Sequence, residues 1–370
     1  VGARVTFLVV LAVSLSAGDP VKPVMQNVAA SGLTFECYLI EAQGTHLGDA
    51  VLLHGFPEWS DRYLPLMKEL SERGIKSLAC NQRGYSPLAA PDSQESYDYR
   101  LLRDDVFNTA HAVGFDKFHL LGHDHGAALA WFCAASPRGV QLIQTLTALS
   151  VPHPDAFAAG LFGPEADIHQ QIASQYFTMF VLPNSASLHN NFWYNQMGKG
   201  NRFPSPAALQ KAMWWYNGAE SASVFGLPPL MSAEELRRLG ANSTADLREL
   251  FGGTPNKGHG QTSPVGQVTM PTLFVCGGKD PYLLCSRPYA LRTREYCPKS
   301  YAYLNVDCEH DLLHCAHTDQ VASAIFQHLS LVQVLPQDHA LAVGTSAAMV
   351  AALAALITTS LIAFTLRQLR

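Results

Sequence analysis

The ten residues Phe118-His-Leu-Leu-Gly-His-Asp-His-Gly-Ala127 constrain this chain more than any other stretch. An apolar run ends at Gly122, and Ala127 to Ala135 behind it reads as a helix. Small residues two places either side of a central polar one make the pattern of a sharp strand-to-helix elbow, because larger side chains there would strike the neighbouring backbone. Such elbows usually carry Ser, but here the central residue is Asp124. A carboxylate that attacks carbon forms an ester, and water must then open it. That narrows the chemistry to attack at saturated carbon, as in an epoxide or a carbon–halogen bond. A plain helix-capping turn would use the same five residues. The rest of the chain must therefore supply an oxyanion hole, an acid and a histidine.

Short apolar runs alternate with helical spacing on both sides of the elbow. Leu33 to Ile40 alternates as an outer strand does, and Ala50 to Leu53 is a buried strand running into His54-Gly-Phe-Pro-Glu-Trp59. From Asp61 onward, Tyr63, Leu64, Met67 and Leu70 have helical spacing, with Asp61 placed to cap them. Ser77 to Cys80 is a third strand, residues 97–113 a helix, and Leu142 to Leu149 a further strand that leaves through Ser150-Val-Pro-His-Pro154. Strands alternating with helices predict a parallel sheet covered on both faces. After Pro154 the pattern changes. Residues 155–268 have helical spacing and carry Tyr176, Phe180, Trp215 and Tyr216 among their aromatics, which predicts a helical lid. Strand character returns at Pro271 to Cys276 and Tyr301 to Val306, and a last helix covers about 318–330. The core is thus expected in two parts, 25–154 and 269–331.

His54-Gly-Phe-Pro57 follows a strand at its carboxyl end. The N–H of Phe56 can pair with that of His125 to bind the oxyanion formed when water attacks an ester. An ordinary Gly-Pro turn is the alternative. Asp280 closes Gly277-Gly-Lys-Asp280 after a late strand, where a carboxylate can orient a histidine and stabilise its charged form. A solvated loop acid would look the same. His310, in Cys308-Glu-His-Asp311, follows the last strand. An imidazole with an ordinary pKa of about 6.5 accepts a proton from water at neutral pH. His123, His125 and His314 compete for that role among 15 histidines. The order nucleophile, acid, histidine, each just after a strand, selects His310.

His54-Gly-Phe-Pro-Glu-Trp59, Gln82-Arg-Gly-Tyr-Ser-Pro87, Gly122-His-Asp-His-Gly126 and Ser150-Val-Pro-His-Pro154 together resemble the epoxide hydrolase branch of the α/β-hydrolase family, over roughly residues 25–330. The resemblance implies an α/β-hydrolase fold, a mostly parallel eight-stranded sheet with an inserted helical cap. It implies Asp124 as nucleophile, Asp280 as charge partner and His310 as base. It also implies two cap tyrosines on the epoxide oxygen, by local match Tyr176 and Tyr216. Pro57, Trp59 and Trp215 are the expected pocket wall. The partners implied are an epoxide and water, with no metal or organic cofactor. Three positions depart from the family pattern: His125 where Trp is common, Glu309 where Gly is common, and Ala127 where a further Gly is usual. His125 keeps its backbone N–H but makes the pocket more polar, and Glu309 would raise the pKa of His310 if the two side chains approached. A haloalkane-type dehalogenase would use the same Asp-His-Asp set, but it needs halide donors, one of them a Trp where His125 stands. A non-catalytic binding ectodomain is the other alternative, and the presence of all three groups speaks against it.

The ends carry different signals. Residues 1–18 combine a basic start, an apolar core and small residues, the pattern of a signal peptide, although the chain opens on Val1 rather than Met. Ala340 to Leu366 is 27 residues without a charge, followed by Arg367-Gln-Leu-Arg370. About 20 apolar residues suffice to cross a bilayer, and terminal arginines favour the cytoplasmic side. A linker over 332–339, a transmembrane helix over 340–366 and a cytoplasmic tail over 367–370 are therefore expected. They describe a single-pass type I membrane protein with its catalytic domain extracellular or lumenal. A lipid-anchor signal and a buried core helix are the alternatives. Eight cysteines are present, five of them between 276 and 315, and in an oxidising compartment some would pair, though spacing does not select which. Asn242-Ser-Thr is a glycosylation sequon. With 25 Lys and Arg against 30 Asp and Glu, and no basic block before the last four residues, nothing favours nucleic-acid binding.

Overall fold

The computed structural model describes residues 23–162, 166–174, 176–180, 186, 202–216 and 265–333. The chain divides into the units Val1–Gln333 and Val334–Arg370, and every described residue lies in the first. The expected signal peptide, the 340–366 segment, the tail and Asn242 lie outside the described residues. Among the described residues no helix is long and apolar enough to cross a membrane.

Eight strands form one sheet in the order β1-β2-β4-β3-β5-β6-β7-β8. They are β1 (Val24–Ala30), β2 (Leu33–Ile40), β3 (Gly48–Leu53), β4 (Ile75–Cys80), β5 (Phe118–His123), β6 (Ile143–Leu149), β7 (Thr272–Gly277) and β8 (Tyr301–Val306). β2 pairs antiparallel with β1 and β4, and every other pairing is parallel. Successive side chains point to opposite faces of a strand, so each strand feeds two cores. Leu52, Leu121 and Val275 pack with Met67, Leu70 and Ile325 on one face. Val51, Leu120 and Phe274 share the other face with Phe107, Leu129 and Trp131. The first face is covered by α1 (Leu64–Glu72) and the C-terminal helix Thr318–Gln333, the second by α2 (Tyr99–Ala112) and α3 (His125–Ala135). Burying each Leu, Val or Phe this way contributes roughly 1.5–3 kcal/mol.

α3 is Ala-rich because it has almost no outer face: all of it except Phe132 and Ala135 is buried. A Cβ on Gly126 would lie 2.1 Å from the Leu53 carbonyl oxygen, and one on Gly122 would lie 2.3 Å from that of Gly126. The two small residues of the elbow therefore let α3 start directly against the ends of β3 and β5. The lid is described in part, as the helices α4 (Pro154–Phe162), α5 (Ile168–Ala173), α6 (Tyr176–Phe180) and α7 (Pro206–Met213) and a 3-10 turn at Trp214–Tyr216.

Two features differ from the sequence reading. β1 precedes the first expected strand; only Val28 of its seven residues is buried, so it has no apolar alternation to reveal it. Asp61 does not cap a helix. It lies within a 3-10 turn, Ser60–Tyr63, and its carboxylate pairs with Arg202 of the lid at 2.9 Å. Six of the eight cysteines pair, as Cys37–Cys80, Cys276–Cys285 and Cys308–Cys315, while Cys133 and Cys297 are buried thiols.

Candidate active site

Parallel strands bring their carboxyl ends to one edge of a sheet, where ligands of α/β folds bind. Phe56 follows β3, Asp124 follows β5, Asp280 follows β7 and His310 follows β8. The sheet thus gathers at one edge four residues that the sequence spreads over 254 positions, from 56 to 310.

Asp124 sits between β5 and α3 with φ 51° and ψ −124°, a strained conformation for a residue with a Cβ. Its Oδ1 accepts the Phe56 N–H at 2.8 Å, and its Oδ2 accepts His310 Nε2–H at 3.0 Å. The Nδ1–H of His310 donates to Asp280 Oδ2 at 2.6 Å. The other oxygen of Asp280 accepts the N–H groups of Tyr282 and Leu283 at 2.8 and 2.9 Å, so its own loop fixes the acid. Gly55 is required beside Asp124: a Cβ there would lie 2.6 Å from both Cβ and Oδ1 of the carboxylate. His125 opens α3, and its N–H is one of those that no helical turn can satisfy.

The charges explain the protonation states. Burial alone would push Asp124 up, but the hydrogen bond and charge of His310 outweigh it and hold the carboxyl well below its usual range. Burial pushes His310 down, and the two carboxylates reverse this, holding it well above an ordinary imidazole. Glu309 does not take part: it is exposed, and the carboxylates acting on His310 are Asp124 and Asp280. His314 is exposed and paired with Asp311, away from this chain of bonds.

Tyr176 and Tyr216 both come to this edge. Burial first, and then the Asp124 charge, raise both phenols well above the usual value, so each stays a hydrogen-bond donor. Their rings belong to an arc that runs from His310 to Tyr282 (5.9 Å), to Tyr176 (5.7 Å), to Phe180 (5.3 Å), to Tyr216 (5.2 Å) and on to His125 (5.0 Å). This arc makes a largely apolar wall around Asp124. Of the expected pocket wall, Pro57 follows Phe56 through a cis peptide bond. Trp59 packs on Tyr85 and Phe203 under the Arg202 guanidinium, which lies 4.1 Å from its ring centroid. Trp215 backs the site rather than lining it. It stacks on His54, packs against the His125 ring at 4.7 Å and donates its Nε1–H to the Arg83 carbonyl at 2.7 Å. His125 is held between Trp215 and Tyr99, whose hydroxyl lies 3.0 Å from its Nε2, and burial lowers its pKa to about 3. It is therefore a neutral ring at physiological pH.

The motif residues outside the carboxylate–histidine chain fix the loop after β3. His54 Nε2 accepts the Gln82 N–H at 3.0 Å, and the Gln82 side chain donates to the His54 carbonyl at 2.8 Å. Arg83 makes a two-pronged pair with the buried Asp105, at 2.7 and 2.8 Å.

Sequence reasoning missed a second layer. His123 Nδ1 faces Glu58 Oε2 at 3.0 Å, and its Nε2 faces the His310 carbonyl at 3.0 Å. Both neighbours are acceptors, so both ring nitrogens carry protons and His123 is an imidazolium. Burial opposes this charge, and Glu58 overcomes the opposition. The Ser150 hydroxyl donates to the same His310 carbonyl at 2.7 Å. His310 is thus gripped by its ring and by its backbone. Arg62 joins Glu58 to Asp311, next to His310.

Burial raises the Glu58 carboxyl, but His123 and then Arg62 bring it down from 4.5 to about 2. Taken as linkage, that shift is worth roughly 3 kcal/mol of folding stability. The folded pKa is below the unfolded one, so this contribution is present above pH 4.5 and is lost as pH falls towards about 2. Glu58→Gln is expected to lower the melting temperature at neutral pH and to reduce its further fall in acid. Melting curves of the two proteins that run parallel from pH 7 to pH 3 would contradict this.

The sequence profile of the alpha/beta hydrolase fold family matches residues 51–314. The AB hydrolase superfamily protein YfhM of Bacillus subtilis is 28% identical over 302 residues, 78% of this chain and 92% of that protein. Epoxide hydrolase 4 of Mus musculus is 26% identical over 264 residues, 70% of this chain and 66% of that protein, so just under two thirds of its length is spanned. Among solved structures, one from a set of epoxide hydrolases from metagenomes of hot environments superposes with a TM-score of 0.57 at 22% identity, covering 83% of this chain and 99% of that one. At that identity the likeness is one of fold. The chain belongs to the α/β-hydrolase fold family and, within it, to the branch that holds the epoxide hydrolases.

Proposed function

We propose that this chain is an epoxide hydrolase that adds water to an epoxide through a covalent ester on Asp124. One observation carries the reading: Phe56 N–H, Asp124, His310 and Asp280 form one unbroken hydrogen-bonded chain, under a wall that contains Tyr176 and Tyr216. Asp124 attacks an epoxide carbon while the two phenols donate to the oxygen. The carbon–oxygen bond breaks, and the alkoxide takes a phenolic proton. The Asp124 carboxylate is now an ester without charge, so His310 loses one of the two anions that hold its pKa up. It passes its Nε2 proton through solvent to the tyrosinate, and the neutral imidazole then takes a proton from water, with Asp280 stabilising the imidazolium that re-forms. Hydroxide adds to the ester carbonyl, the Phe56 and His125 N–H groups bind the oxyanion, and the intermediate collapses by breaking its bond to the substrate oxygen, which takes the carboxylic proton and leaves as the diol with the Asp124 carboxylate regenerated.

The test supplies mixed aromatic and fatty epoxides together with a haloalkane and follows diol and halide. Diol without halide is expected. Halide release would move the assignment to a dehalogenase, and neither product from folded protein would favour a binding role. A neutral His125 in place of an indole donor supports oxygen over halide. Tyr176→Phe and Tyr216→Phe are each expected to slow ester formation by roughly 10²-fold, the cost of losing one aimed donor. The double variant is expected to lose more than either. A rapid-mixing assay of ester formation checks this, and wild-type rates in the double variant would exclude the phenols.

We also propose that residues 340–366 tether this enzyme to a membrane, with the catalytic unit on the extracytosolic side. The uncharged run and the three disulfides support that placement, since disulfides persist in oxidising compartments. Protection of residues 23–333 from protease in sealed microsomes is the expected result. Digestion without detergent would reverse the orientation.

A further inference from the structure

The acid and the base each lie inside a disulfide-closed loop. Cys276, next to last in β7, is bonded to Cys285 across the turn that carries Asp280, a separation of 9 residues. Cys308, just beyond β8, is bonded to Cys315 across the turn that carries His310, a separation of 7 residues. The third disulfide differs. Cys37–Cys80 joins β2 to β4 where the two residues already stand opposite in the strand ladder, so the sheet holds them without it.

We propose that Cys276–Cys285 and Cys308–Cys315 are positioning residues for the acid–base pair, holding Asp280 and His310 in hydrogen-bonding register. This rests on the catalytic reading above. Beyond the strand ends, the backbone bonds between these loops are Gly278 N–H to the Val306 carbonyl (2.8 Å) and Lys279 N–H to the Cys308 carbonyl (2.9 Å). They set where the loops leave the sheet but reach neither Asp280 nor His310. The loops approach closely, since a Cβ on Gly277 would lie 2.2 Å from the Glu309 carbonyl oxygen. The functional contact lies further out, at the 2.6 Å bond from His310 to Asp280. Hydrogen bonds hold the Asp280 carboxylate to its own turn and the His310 carbonyl to His123 and Ser150; each disulfide returns the far side of its turn to the strand end and so fixes the turn itself against the sheet. A displacement of about 1 Å at such a site costs on the order of 10²-fold in rate. The two bonds differ in access: Cys276 and Cys285 are fully buried, whereas Cys315 reaches the surface. An added dithiol therefore opens Cys308–Cys315 first. It gives up two electrons, leaves two cysteine thiols and becomes a disulfide itself.

The test compares the full chain with Cys276→Ala/Cys285→Ala, Cys308→Ala/Cys315→Ala and, as a control, Cys37→Ala/Cys80→Ala. Two quantities are read. One is kcat and KM for epoxide hydrolysis. The other is the low-field imidazole proton resonance of the His310–Asp280 hydrogen bond, assigned by its loss in His310→Gln, which needs no substrate. Both loop variants are expected to broaden or lose the resonance and to lower kcat by about tenfold or more with KM little changed. The control is expected to melt at lower temperature and to keep the resonance and kcat. Folded loop variants that keep both signals overturn the proposal, as does an equal loss in the control. If Cys308→Ala/Cys315→Ala does not fold, dithiothreitol opens the same bond in folded wild-type protein, and the resonance is read before and after. A wild-type resonance without epoxide turnover would count against the enzymatic reading alone, and the resonance would still decide the role of the disulfides.

Discussion

Asp124→Ala is expected to abolish diol formation, by roughly 10⁴-fold or more, while the protein stays folded. In the proposed route the substrate becomes bonded to this carboxylate, and no neighbour can replace it: Glu58 is committed to His123, and Asp280 lies behind His310. Folding survives because the elbow is held by its backbone. The Asp124 carbonyl accepts the N–H groups of Ala127 and Ala128, and its N–H donates to the Leu149 carbonyl. Steady-state rates and the melting temperature of the variant check both halves of the expectation. Substantial diol formation by folded Asp124→Ala would mean that water attacks the epoxide directly.

His310→Gln is expected to give a different failure. Its Asp124 can still attack, so the epoxide is consumed, but only once per protein molecule. The ester then persists because no base activates water, and steady turnover falls by roughly 10²- to 10⁴-fold. A burst of one equivalent of epoxide, with the adduct found by mass spectrometry on the peptide containing Asp124, is the measurement. Glutamine keeps a polar side chain of similar reach, so the loop is disturbed little. A variant that neither consumes epoxide nor forms an adduct would place His310 in the first half of the reaction.

The parts of the fold that could be read from sequence are those that chain-local patterns specify. β2 and β8 coincide with the expected runs, and β3, β4, β6 and β7 differ from theirs by one or two residues at one or both ends; all of them but β8, which buries only Val306, carry their own buried apolar set. β1 could not be read this way, since its run Val-Met-Gln-Asn-Val-Ala-Ala shows no apolar alternation and buries only Val28. The carboxylate–histidine chain was legible for a related reason: each member sits just after a strand, and parallel pairing brings those ends together. The second layer had no such mark. Glu58 and His123 are 65 residues apart, and His123 meets the His310 carbonyl from 187 residues away. Only the β3–β5 pairing and the approach of the last loop bring them together. The same holds for Cys37 and Cys80, whose bond follows from the β2–β4 register and not from their spacing. Asp61 had a plausible capping position, but the 3-10 turn ahead of α1 and the nearby Arg202 drew it elsewhere. Trp215, expected in the pocket wall, has its indole N–H drawn to the Arg83 carbonyl behind His125.

The covalent route is tested most directly by one turnover in heavy-oxygen water with enzyme in excess over a terminal epoxide. If Asp124 forms the ester and water attacks its carbonyl, the first diol carries ordinary oxygen from the carboxylate. The heavy atom then appears in the Asp124 peptide. Heavy oxygen in the first diol, with an unlabelled Asp124 peptide, would contradict the ester and reassign Asp124 as a base that directs water to the epoxide.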